Sequence, residues 1–160
     1  METKIMNHYN SDSRFDRANV FRSECKEGCK LNGDLSNYLI LNGDEIKTAL
    51  NLHDIGSADC ILIDKNDIDG EYKIILCELS TNKPSKKVKK QLSGSGEHIV
   101  EVFEKNNLKI KDICCLFLGK YSDKTSIRKS YTVNIPNFFR NDIQIINKGC
   151  HNFDISDLNF

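Results

Sequence analysis

Two acidic residues, Asp59 and Glu78, stand out in this 160-residue chain by type and spacing. Asp59 leads into the apolar run Cys60-Ile61-Leu62-Ile63, and Glu78 follows a second run, Ile74-Ile75-Leu76-Cys77. Both runs read as strands, and the polar stretch between them reads as a turn, so together they predict a β-hairpin. A four-residue loop over 67–70 sets Asn66 opposite Glu71, which brings Asp59 directly across from Glu78. Directly opposed residues share a face, with Cβ atoms roughly 4.5–5.5 Å apart. Ile61, Ile63, Ile74 and Leu76 occupy that face between the acidic pair and the turn. Two adjacent carboxylates beside apolar neighbours repel and raise a pKa unless a cation lies between them. Mg²⁺ or Mn²⁺, held by one or two carboxylates plus waters, would offset the repulsion. The alternatives are that one acid reaches solvent at the strand end, or that the register is off by one.

A cation-rich segment follows the hairpin. Lys83, Lys86, Lys87, Lys89 and Lys90 crowd the start of an expected helix over 85–105, while Glu97, Glu101 and Glu104 sit toward its end. Both placements oppose the helix dipole, and such local exceptions often mark a site. Placing residues at 100° steps sets Leu92, Ile99, Val102 and Phe103 within about 60° of Val88, a core-facing stripe. Lys86 and Lys90 point away from it, as an ordinary solvated helix face would, and Gln91 flanks it. Residues 83–140 carry 13 Lys/Arg against 5 Asp/Glu, which suits a surface that follows a phosphate backbone.

Ala58-Asp59-Cys60-Ile61-Leu62-Ile63, then Ile75-Leu76-Cys77-Glu78-Leu79, then Val88-Lys89-Lys90-Gln91-Leu92 together resemble the PD-(D/E)xK nuclease superfamily. The resemblance covers roughly residues 55–120. The stretch Cys25-Lys26-Glu27-Gly28-Cys29 is similar to a Cys-containing N-terminal stretch of some members of that group. The resemblance implies a restriction-endonuclease-like α/β fold, with a mixed sheet built on a central β-hairpin, a helix and a buried strand. It implies a Mg²⁺ or Mn²⁺ ion held by Asp59 and Glu78, and a nucleic-acid substrate, DNA ahead of RNA. It also implies that Gln91 contacts the site, and the cation-rich segment makes Lys86, Lys87 and Lys90, with Gln91, the expected nucleic-acid contacts. The motif lysine, two residues after Glu78, is replaced by Ser80. Either a displaced lysine supplies the charge, with Lys83 nearest, or the domain is inactive and serves as a binding subunit of a larger complex.

The elements that must position these residues are those of one mixed α/β domain over 34–160. Asn37 to Leu41 reads as a strand closed by a turn at Asn42-Gly43-Asp44, and Glu45 to Leu52 fits either a strand or a short helix. Ser93-Gly94-Ser95-Gly96 is a possible break in the long helix. Lys111 to Gly119 reads as a buried strand, with further strands at 131–135 and 142–146. Residues 1–33, polar and irregular, read as an N-terminal arm or loop.

Net charge is zero, yet residues 1–80 hold 9 basic against 15 acidic side chains, and residues 81–160 hold 14 against 8. The longest apolar stretch, Ile113 to Leu118, is far shorter than the ~20 residues of a membrane span, and no signal-peptide h-region opens the chain. Seven cysteines, several inside apolar runs (Cys60, Cys77, Cys114, Cys115), suggest reduced, buried thiols and a cytoplasmic setting. Cys25, Cys29, Cys150 and His151 offer a weak zinc-ligand set. His53 lies close enough in sequence to approach Asp59, and His98 reads as a packing residue of the helix.

Overall fold

The computed structural model describes residues 1–26, 29–51, 56–66, 70–80, 86–119, 132–149 and 153–158. The hairpin is the centre of a seven-stranded mixed sheet. Its strands are β1 (Phe21–Arg22), β2 (Tyr38–Asn42), β3 (Cys60–Asp64), β4 (Glu71–Ser80), β5 (Lys109–Gly119), β6 (Thr132–Val133) and β7 (Ile143–Gly149), in the order β1-β2-β3-β4-β5-β7-β6. Among the described residues four α-helices accompany them: α1 (Glu2–Ser11), α2 (Arg17–Val20), α3 (Gly43–Ala49) and α4 (Lys86–Lys105). Strands β1 to β4 pair antiparallel, whereas β4, β5 and β7 run parallel. The parallel β4–β5 connection requires a crossover, which α4 supplies. The class is α/β, as expected.

The pairs Cys60↔Cys77, Ile61↔Leu76, Leu62↔Ile75 and Ile63↔Ile74 are those that the four-residue turn implies. Residues 67–69 of that turn lie outside the described residues. Alternation along the strands then sorts the core into two faces. Ile61, Ile63, Ile74 and Leu76 pack with Val88, Leu92, Ile99 and Phe103 of α4. On the reverse face Cys60, Leu62, Ile75 and Cys77 pack with Leu31, Leu116, Leu118 and Phe153.

Several expectations need correction. The first 33 residues are not a loose arm: Ile5 and Tyr9 of α1, with Phe15, Val20, Cys25 and Leu31, are buried in the two core faces. Asn42-Gly43-Asp44 is not a simple turn after the strand but the start of α3. Asn42 caps α3, its side chain accepting the Asp44 N–H at 3.2 Å, and this settles 45–49 as helix. Nor does Ser93-Gly94-Ser95-Gly96 break α4, which runs unbroken through it. Small residues are needed there because a Cβ on Gly96 would lie 2.5 Å from Ile135 Cδ1. Cys60 is not a reduced thiol but forms a disulfide with Cys25. This also removes Cys25 from the zinc set, whose Cys150 and His151 lie outside the described residues.

Close approach matters most at Gly43, where a Cβ would collide with the Ala58 carbonyl oxygen. Backbone on both sides leaves nothing flexible to yield. Gly43→Ala is therefore expected to lower the unfolding free energy by about 3 kcal/mol, read from urea or thermal unfolding. Retention of wild-type stability would mean that α3 and residue 58 are not packed in this way.

Candidate metal-binding site

The site lies at one end of the sheet. β4, β5 and β7 end together there, with Ser80 beside Gly119 and Gly119 beside Gly149. Antiparallel β3 starts at the same end, so Asp59 stands just before its first residue and one step beyond the Cys60↔Cys77 pair, level with Glu78. In α/β sheets the carboxyl ends of parallel strands are where ligands collect.

Asp59 is held from three directions. The Gly43 N–H donates to its carbonyl oxygen at 3.1 Å. The Leu79 N–H donates to its carboxylate Oδ2 at 2.6 Å, which ties it to β4. The residue before it is fixed by α4, where Ser95 Oγ accepts the Ala58 N–H at 2.8 Å and lies 2.8 Å from Ser57 Oγ. Gln91 Nε2 donates to the Ser57 carbonyl at 3.2 Å. Helix and strand are therefore joined by buried polar contacts at the place where the acid emerges, and such contacts are strong when fully satisfied.

Glu78 is buried, with 6% of its surface exposed, and its Oε2 has no hydrogen-bond partner. Burial pushes its carboxyl up to about 8, and the neighbouring Asp59 charge adds to the rise. The Asp59 backbone N–H, the Gln91 side chain and the Lys87 charge act in the opposite direction without cancelling it. A carboxyl of this kind holds its proton near neutral pH and gives it up to a cation. The pair supplies two oxygen donors from the protein, one of them beside an orphaned buried oxygen. That set suits a hard divalent ion that keeps several of its waters. Among the described residues no group of three or more His, Cys, Asp or Glu side chains converges on a metal site.

The other expected residues divide. Gln91 is buried and joins the acidic pair through Ser57 and Glu78. Lys86, Lys87 and Lys90 are exposed on α4, and Lys87 is the lysine whose charge bears on Glu78. Lys83 and His53 lie outside the described residues. His98 is a packing residue: its Nε2 lies 2.8 Å from the buried Tyr9 hydroxyl, and burial lowers its pKa to about 4. Sequence reasoning missed Ser57 and Ser95. Their signal was a serine inside the apolar stripe of α4 and another two residues before the strand acid. No family model matches the chain, and neither the curated proteins nor the solved structures give a match.

Proposed function

We propose that the chain is a metal-dependent nuclease-like domain acting on the phosphodiester bonds of DNA, with Asp59 and Glu78 as its metal ligands. The observation that carries this reading is the buried, partly orphaned Glu78 carboxyl level with Asp59 at the sheet end. The order hairpin, crossover helix, parallel strand supports it, because a restriction-endonuclease-like domain has that order. A divalent cation bound to the pair would lower the pKa of a coordinated water and neutralise phosphate charge. Asp59 and Glu78 hold the ion. Gln91 keeps the Glu78 carboxylate and the backbone of Ser57 in fixed relation. Lys86, Lys87 and Lys90 offer exposed positive charge on α4, where a nucleic-acid backbone would run.

Ser80 favours a second reading, a nuclease-fold protein without catalysis that binds DNA or recruits a partner. It stands where the resemblance calls for lysine, and a hydroxyl carries no charge to orient an attacking water. Lys83 is the candidate substitute on the catalytic reading, with Lys87 the described alternative. Incubation of supercoiled plasmid with the protein and Mg²⁺ or Mn²⁺ separates the two. Metal-dependent nicking supports the nuclease. Retarded mobility without nicking selects the binding subunit, and neither effect removes nucleic acid as the ligand.

A further inference from the structure

Residues 57 and 58 lead into β3 outside its strand ladders, which reach only to Cys60. Both are buried, Ser57 at 2% and Ala58 at 0% exposure. Buried backbone N–H and C=O groups need partners, and off the ladder a neighbouring strand does not supply them. Hydroxyls do so here. The Ala58 N–H donates to Ser95 Oγ of α4 at 2.8 Å. Ser57 Oγ lies 2.8 Å from Ser95 Oγ and donates to the Ala58 carbonyl oxygen at 3.3 Å. A serine hydroxyl has one proton, and that of Ser57 goes to Ala58, so the proton between the two serines belongs to Ser95. The bonds then run from the Ala58 N–H to Ser95, from Ser95 to Ser57, and from Ser57 back to the Ala58 carbonyl. They form a ring that opens and closes on the residue before Asp59.

That ring bears on both acids through one peptide unit. A peptide is planar, so holding the Ala58 carbonyl oxygen also holds the Asp59 nitrogen and Cα. The Gly43 N–H fixes the Asp59 carbonyl from the other side, which sets the direction in which the Asp59 side chain leaves the backbone. The Asp59 N–H belongs to the same planar unit and donates to Glu78. Gln91, one helical turn before Ser95, secures the Ser57 carbonyl at 3.2 Å. Ser95 is 1% exposed, and hydrogen bonds chained in such a setting strengthen one another.

We propose that Ser57 and Ser95 are positioning residues of the Asp59–Glu78 site, their hydroxyl ring setting the 58–59 peptide from which one acid projects and to which the other is bonded. The proposal rests on the metal-binding reading above and makes α4 part of the site's frame.

Calorimetric titration of Mn²⁺ into the full chain tests it, at a temperature where thermal unfolding shows each variant folded. Ser57→Ala and Ser95→Ala are each expected to weaken Mn²⁺ binding about tenfold, the size typical of residues that orient a metal's ligands. The double variant should bind no more weakly than either single one, because each change opens the same ring. Lost stability alone cannot imitate this, since apparent affinity falls only by the fraction of competent molecules. Ile143→Val is the control, a change at a buried residue that starts β7 at the far end of the sheet. It should lower the melting temperature and leave Mn²⁺ affinity as in wild type. Wild-type affinity in both serine variants overturns the proposal while leaving the two-carboxylate site intact. Losses that multiply in the double variant, or an equal loss in Ile143→Val, overturn it too. Absence of Mn²⁺ binding in the wild type, or binding that survives Glu78→Gln, defeats the metal-site reading itself and this extension with it.

Discussion

Asp59→Ala and Glu78→Ala are each expected to abolish metal-dependent nicking of plasmid DNA, a loss of at least about 100-fold. Changes to residues around a metal's ligands cost about 10–100-fold, and removing one of the two proposed ligands should cost no less. Their effects on stability should differ from each other. Asp59 accepts the Leu79 N–H and helps fasten β3 to β4, so its truncation costs a part-buried hydrogen bond to a charged group, about 1.5 kcal/mol. Glu78 is a burden on the folded state. Its folded pKa, about 8, lies above the 4.5 of an ordinary glutamate. The folded form therefore binds the extra proton, and stability falls as pH rises from about 4.5 toward 8. Glu78→Gln, which cannot ionise, should flatten that decline and exceed wild type by about 1–3 kcal/mol at pH 8.5. Urea unfolding at pH 5 and 8.5 without added metal checks this. A wild type with the same pH slope as Glu78→Gln would show that the carboxyl ionises at no cost.

The disulfide gives the largest expected change in stability. Cys25–Cys60 joins the segment before β2 to the first residue of β3 across 35 residues of sequence, and both cysteines are fully buried. Closing a loop of that length in the unfolded chain is worth about 4 kcal/mol. Cys25→Ala, or reduction with dithiothreitol, should therefore lower the melting temperature by about 10 °C. Because Cys60 directly follows Asp59, weaker Mn²⁺ binding should accompany the loss. A melting curve that is the same with and without reductant would mean that the bond does not form in solution.

The hairpin was legible in the sequence because two simple rules agree there. Alternation of Ile61, Ile63, Ile74 and Leu76 specifies a face, and a short polar turn specifies the register, since a slip of one residue would turn every side chain over. That combination set Asp59 level with Glu78 before any coordinates. The stripe on α4 was legible for the same reason, since period 3.6 survives the glycines at 94 and 96. Other features had no local signal. α1 buries only Ile5 and Tyr9, too few apolar positions to mark a helix in a polar stretch, so tertiary packing decides it. Asn42-Gly43-Asp44 serves a hairpin turn or a helix cap equally well, and only the contact with Ala58 selects the cap. Cysteine connectivity does not follow from sequence, so the apolar surroundings of Cys60 pointed to a free thiol.

Calorimetric titration with Mn²⁺ between pH 6 and 9 decides whether Asp59 and Glu78 share a divalent ion. If they do, one ion binds per chain, binding tightens as pH rises through about 8, above which the Glu78 proton no longer competes, and binding releases a proton below that pH. Glu78→Gln is expected to abolish the binding. No saturable uptake at any pH, or uptake of equal strength in Glu78→Gln, would contradict it.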